Sequence, residues 1–381
     1  MPKPRLPYGR QWLDESDIEA VREVLVGDFL TTGPAVARFE DGLRAATGAR
    51  HAVALNSGTS ALHAMYHAVG VGEGTEIVTS PLTFAATGNA ALYLGATVRF
   101  VDVTPDTGNI DPSLVADAIG TTTKSVVAID FAGHPADYDG LRAAINTDGV
   151  SLIADAAHSF GGTYCGRSIG TVADATALSF HPVKAITTGE GGAVLTDDDA
   201  VAQVAAQFRT HGITRDRERM TADEGAWFYE QHDLGFNYRL TDIQAALGSS
   251  QLTKLDRFVA RRRQIAARYD EALSDVEGLE LPTVRREVQP AWHLYIVRVR
   301  DAARRRPFFD RLQALGLGVQ VHYIPVYLHP FYQRLGYRRG ACPVAEDFYA
   351  RAVSLPMFPR MTDAELDSSI QRVRQAAAET L

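Results

Sequence analysis

The sequence predicts an α/β protein: a mainly parallel, mixed sheet sandwiched by helices, followed by a smaller C-terminal α+β domain. Three observations carry this. From His51 onward, short apolar runs alternate with helix-length amphipathic runs, the pattern of βα units in a parallel sheet. The apolar runs at 125–130 and 151–155 each end on an aspartate, as strands do when they deliver polar groups to the carboxyl edge where such sheets bind ligands. The chain has 381 residues, more than one compact core usually organises.

Each element follows in order. Residues 13–47 read as helix, turn, helix, with the break at Thr31-Thr32-Gly33-Pro34. Strands are expected at 51–55, 76–79, 97–101, 125–130 and 151–155, with helices at 61–69 and 85–94. One long helical pattern covers 241–274, carries Arg261-Arg262-Arg263, and reads as a connector. Beyond it, strands at 294–299 and 319–322 and helices at 304–315 and 363–377 form the smaller domain. The expected division is 1–250 and 251–381.

Composition excludes several classes. A net charge of −8 without a long basic run argues against nucleic-acid binding. Cys165 and Cys342 are the two cysteines, too few for a disulfide framework or a four-cysteine metal site, and a reducing cytoplasm suits them. No stretch approaches the roughly 18 apolar residues that would span a bilayer. The polar, proline-rich start through Tyr8 lacks a signal-peptide core.

Three motifs carry chemistry. Asn56-Ser57-Gly58-Thr59-Ser60-Ala61-Leu62 joins a strand to a helix through small residues. Helix N-terminal N–H groups and the hydroxyls of Ser57, Thr59 and Ser60 could hold a phosphate, although Ser and Thr equally serve as plain caps. Ser151 through Ser159 brings Asp155 and His158 to a strand end. A carboxylate there could face a pyridine nitrogen, cap a helix, or join a metal site. Leu178 through Val194 sets Lys184 in a short loop between apolar runs, beside Thr187-Thr188-Gly189-Glu190-Gly191-Gly192. A nucleophilic lysine must be neutral, whereas most lysines are merely exposed.

Together and in this order the motifs resemble the DegT/DnrJ/EryC1/StrS family of sugar aminotransferases, within the fold-type-I pyridoxal-5′-phosphate (PLP) enzymes. The matching stretches are 56–62, 81–87, 155–161, 179–184, 187–192 and 235–248. The resemblance implies that Lys184 bears PLP as a Schiff base and shuttles protons, and that Asp155 pairs with the pyridine nitrogen. It further implies that Gly58, Thr59 and Ser179 hold the phosphate, Phe84 covers a ring face, and His158 lies near the phenolic oxygen. Asn237 would reach the cofactor of a partner subunit, making a homodimer with shared sites. At Gly58 the family also tolerates a small residue with a side chain.

A narrower resemblance, to the pseudaminic acid branch of that family, rests on 7–11, 27–34, 181–188, 321–327 and 345–349. It implies a sugar-nucleotide site lined by Tyr8, by Asp28, Phe29, Leu30 and Thr31, and by His322, Tyr323, Ile324 and Pro325. The implied reaction moves an amino group from L-glutamate to C4 of UDP-4-keto-6-deoxy-L-AltNAc. The runner-up is another UDP- or dTDP-keto-sugar. Three alternatives from other classes stand further off. A PLP-dependent dehydratase would carry histidine at Lys184. A metal hydrolase would use Asp155, His158 and His181. A silent binding protein would have no need of the Asp155/Lys184 pair.

Overall fold

The computed structural model describes residues 6–381; residues 1–5 of the proline-rich start lie outside them. Seven strands form the large sheet: β1 His51–Leu55, β2 Glu76–Thr79, β3 Thr97–Phe100, β4 Thr123–Ile129, β5 Ser151–Asp155, β6 Ala175–Ser179 and β7 Gly192–Thr196. Their spatial order is β1-β7-β6-β5-β4-β2-β3. β7 runs antiparallel to both of its neighbours, and every other pairing is parallel. β1, β5 and β6 therefore point the same way, and their carboxyl ends share one edge of the sheet.

Strand periodicity divides the core. Val53, Leu55, Ile77, Val127, Ile153 and Val194 pack on one face with helix Gly58–Ala68. Ala54, Val78, Val126, Leu152, Ala154 and Leu195 pack on the other with helix Pro34–Thr47. Side chains alternate across a pleated strand, so continuous apolar strands must be covered on both faces. This is the expected helix-covered, mainly parallel sheet.

A second core lies around a three-stranded antiparallel sheet: β8 Leu279–Glu280, β9 Tyr295–Val299 and β10 Ala352–Leu355. Helices Ala302–Ala314 and Asp363–Thr380 contribute Phe308, Leu312, Leu366 and Val373 to it, and so does Leu6 from the other end of the chain.

Two expectations are corrected. The pattern at 241–274 is two helices, Asp242–Leu252 and Leu255–Leu273. They part at Thr253-Lys254, where Lys254 turns to pair with Asp14 at 2.5 Å and Asp17 at 2.7 Å. The second helix gives Leu255 and Val259 to the first core and Ile265, Tyr269 and Leu273 to the second. The expected strand at 319–322 is a single bridge, Gln320 to Ser354. Beyond it His322 bonds Ser354 Oγ through Nδ1 at 2.8 Å, and the chain leaves the sheet.

Candidate active site

The shared edge of β1, β5 and β6 opens on a cavity of about 500 Å³. After β1, Ser57 caps helix Gly58–Ala68 in a reciprocal box: Ser60 N–H donates to Ser57 Oγ at 3.0 Å, and Ser57 N–H donates to Ser60 Oγ at 2.9 Å. Ser57 Oγ in turn donates to Ser60 Oγ at 3.0 Å and Ser60 Oγ to the Ser57 carbonyl at 2.8 Å, so the plain-cap alternative accounts for these hydroxyls and two of the three expected hydroxyl donors are spent. The Gly58 and Thr59 N–H groups and the Thr59 hydroxyl remain, with no acidic residue in that first turn. Ser179, at the end of β6, lines the same cavity and packs against Gly58. A Cβ added to Gly58 would lie 2.9 Å from Ser179 Cβ, and one on Gly192 would collide with the Ser57 carbonyl. Glycine at both positions lets the phosphate-type turn and the lysine loop approach each other.

Asp155 ends β5, buried. Thr87 Oγ1 donates to Oδ2 at 2.7 Å, and the Ala157 N–H donates to Oδ1 at 3.3 Å. Burial raises its carboxyl above the usual range, against the pull of Thr87, Ala157 and the Lys184 charge. His158 follows, with Nε2 3.2 Å from the Tyr323 hydroxyl and its ring 4.3 Å from that of His293, centroid to centroid. Burial holds both histidines neutral, well below the usual imidazole range. Nδ1 of each is buried without a partner.

Lys184 projects from the loop between β6 and β7. The loop ties itself down: Thr187 Oγ1 donates to the Phe180 carbonyl at 3.0 Å, and the Lys184 N–H donates to the His181 carbonyl at 2.9 Å. Burial of the amine lowers it to about 8, with the Asp155 charge opposing and the Arg262 charge assisting.

The structure brings Tyr8, Gly58, Thr59, Phe84, Asp155, His158, Ser179, Lys184, His322 and Tyr323 to this cavity. It does not bring the others there. Asp28 and Phe29 line a separate groove. Leu30 and Thr31 are exposed and strapped to the start of helix Asp242–Leu252. Ile324 is exposed and Pro325 buried away from the cavity. Asn237 is exposed. Thr83, Thr87 and His293 also line the cavity, although sequence reasoning gave them no role; only the position of Thr83 and Thr87 in the matching stretch 81–87 marked two of them. Among the described residues no group of three or more His, Cys, Asp and Glu side chains converges to hold a metal ion.

Free N–H and hydroxyl donors without an acid, a buried carboxylate, unpartnered imidazole nitrogens and a depressed lysine form a donor set that fits PLP: phosphate at one end, ring nitrogen at the other, carbonyl at the lysine. Fold and site together define a PLP-dependent aminotransferase. The chain belongs to the DegT/DnrJ/EryC1/StrS aminotransferase family, whose profile matches residues 11–374, and is a PLP-dependent sugar aminotransferase.

It is 39% identical over 374 residues to the spore coat polysaccharide biosynthesis protein SpsC of Bacillus subtilis, covering 97% of this chain and 96% of that one. It is 37% identical over 363 residues to the UDP-4-amino-4,6-dideoxy-N-acetyl-beta-L-altrosamine transaminase of Campylobacter jejuni, covering 93% of each. Among solved structures, Helicobacter pylori PseC, an aminotransferase involved in the biosynthesis of pseudoaminic acid, superposes with a TM-score of 0.92 at 31% identity, over 98% of this chain and 99% of that one. The putative sugar aminotransferase Spr1654 of Streptococcus pneumoniae, in its PLP form, gives 0.92 at 29% identity over 99% of each.

Proposed function

We propose that this enzyme transfers the amino group of L-glutamate to C4 of a UDP-4-keto-6-deoxy-hexose, UDP-4-keto-6-deoxy-L-AltNAc, in the synthesis of pseudaminic acid. The observation that carries the reading is one cavity joining Asp155 and Lys184 to Tyr8, His322 and Tyr323, the residues expected to meet the sugar nucleotide. The C. jejuni transaminase and PseC support the substrate class.

Bound PLP supplies an electron sink for the charge left when a proton leaves the amino-bearing carbon. Gly58, Thr59 and Ser179 would hold its phosphate. Asp155 would keep a proton on the ring nitrogen. His158, neutral and fixed by Tyr323, would offer Nδ1 near the phenolic oxygen. Lys184 would take the proton from the α-carbon of the donor and return one to C4 of the sugar as the free amine, the form that its lowering by burial to about 8 favours. Tyr8 and His322, with ring centroids 5.5 Å apart, line the same cavity and would meet the sugar nucleotide.

SpsC, at 39% identity, favours a second reading: a different keto-sugar nucleotide, UDP- or dTDP-linked. A panel of UDP- and dTDP-keto-sugars with glutamate, read by product mass, decides. Amination of UDP-4-keto-6-deoxy-L-AltNAc in preference to the others is expected; preference for another UDP-keto-sugar or for a dTDP-keto-sugar overturns the first reading.

A further inference from the structure

Arg262 heads the fully buried side chains ranked by size. Its neighbours in the basic run have ordinary surface tasks: Arg261 pairs with Asp363 at 2.8 Å, and Arg263 donates to the Pro290 carbonyl at 3.0 Å. Arg262 has no carboxylate partner among the described residues. Nη1 donates to the carbonyls of Trp292, His293 and Met357 at 3.2, 3.1 and 3.2 Å. Nη2 donates to the carbonyl of Val183 at 3.2 Å. Nε is buried without a partner. Buried arginines are normally paired with acids. Carbonyls satisfy N–H groups but leave the positive charge in place, and here that charge sits one residue from Lys184.

We infer that Arg262 is a positioning residue for Lys184: through the Val183 carbonyl it clamps the lysine loop to the backbone of Trp292, His293 and Met357, and it sets an unpaired positive charge beside that loop. The inference rests on the proposed role of Lys184. Like charges in a poorly solvated site disfavour a second cation. Burial lowers Arg262 itself only to about 10, so it remains cationic at neutral pH. Two acids share the cavity with Lys184, Asp155 on β5 and Glu190 near β7. Three imidazoles, His158, His293 and His322, are held neutral by burial, the last at about 4. Tyr8 and Tyr323 are held protonated by burial. His181 lies on the loop itself. Arg262 is thus the cation set against the two acids.

The full-length chain, stripped of PLP, can be labelled with trace acetic anhydride across the neutral-to-alkaline range, with the Lys184 peptide quantified by mass. Arg262→Gln keeps polar contacts but removes the charge; the labelling midpoint should rise by on the order of one pH unit. Arg262→Lys keeps the charge and loses the fork; the midpoint should stay at the wild-type value, while amide exchange of the 181–188 loop speeds up. A folded Arg262→Gln with the wild-type midpoint overturns the inference. If that variant does not fold, Arg262→Lys decides: a wild-type midpoint with faster loop exchange upholds it, and a raised midpoint overturns it. Borohydride mapping of the PLP-loaded chain tests the role of Lys184 separately, so the two failures are distinguishable.

Discussion

A lysine attacks a carbonyl only as the free amine, so the fate of Lys184 is set by its surroundings. With its amine lowered to about 8 by burial, it is protonated below that pH and neutral above it. The rate of PLP uptake by the stripped chain should therefore climb with pH and level off above about 8, a profile that stopped-flow absorbance can follow. Lys184→Ala should abolish transamination, and borohydride treatment of the loaded protein should fix the label on Lys184. A label on Lys124, or on Lys254 despite its pairing with Asp14 and Asp17, would end the assignment. Asp155 separates chemistry from folding. In Asp155→Asn the amide can still accept from Ala157 and can donate to Thr87, whose hydroxyl now bonds Asp155 at 2.7 Å. Melting temperature should change little while turnover falls about 10²-fold or more, because a neutral amide cannot hold the ring nitrogen charged. Both are to be measured on one preparation; lost stability with normal turnover per folded molecule would make Asp155 a structural cap.

Helix Gly58–Ala68 shows what an element contributes beyond its residues. Its reciprocal cap uses Ser57 and Ser60, so the anion-binding capacity rests on N–H groups and Thr59. The close packing of Gly58 on Ser179, with 2.9 Å left for a Cβ, predicts that Gly58→Ala raises the Kd for PLP by about tenfold. Fluorescence titration checks this, and an unchanged Kd would mean that Ser179 can move aside. Period and punctuation made most elements legible: β5 is found at the expected residues because Ser151-Leu152-Ile153-Ala154-Asp155 is a buried run ending on a polar group. The break at Thr253-Lys254 was not, because it depends on Asp14 and Asp17, some 240 residues earlier in sequence. His293 and Arg262 were hidden for the same reason. His293 looks like an ordinary polar residue beside an apolar run and Arg262 like the middle of a basic run, and only tertiary packing shows that one reaches the cavity and the other the lysine loop. Asp155 and Lys184 were legible because each sits in a local motif, the one ending the apolar run 151–155 and the other in a short glycine- and hydroxyl-flanked loop between apolar runs.

At the scale of the whole molecule, several expected site residues do not reach the cavity of their own chain. Phe29 and Leu30 are half-exposed, and Phe84, Trp227 and Leu234 more so. Asn237 does not cap the helix that follows it: the cap of helix Asp242–Leu252 is Thr241, boxed with Gln244. Among the described residues the Asn237 side-chain amide has no partner; only its backbone carbonyl is used, accepting from Asn56 Nδ2 at 3.4 Å. A homodimer in which Asn237 of one subunit reaches the PLP phosphate of the other would account for this. Asn237→Ala should then weaken PLP retention without lowering the melting temperature of the stripped chain. Mixing tests the arrangement directly. Lys184→Ala is combined with an inactive variant lacking Asn237 and, where needed, further cross-subunit donors. With shared sites, a mixed dimer carries both lesions in one site and neither in the other. Activity should reappear, approaching roughly one wild-type site per mixed dimer if the symmetry is twofold. With subunit exchange verified by tags, silence in the mixture would mean that each chain builds its site alone.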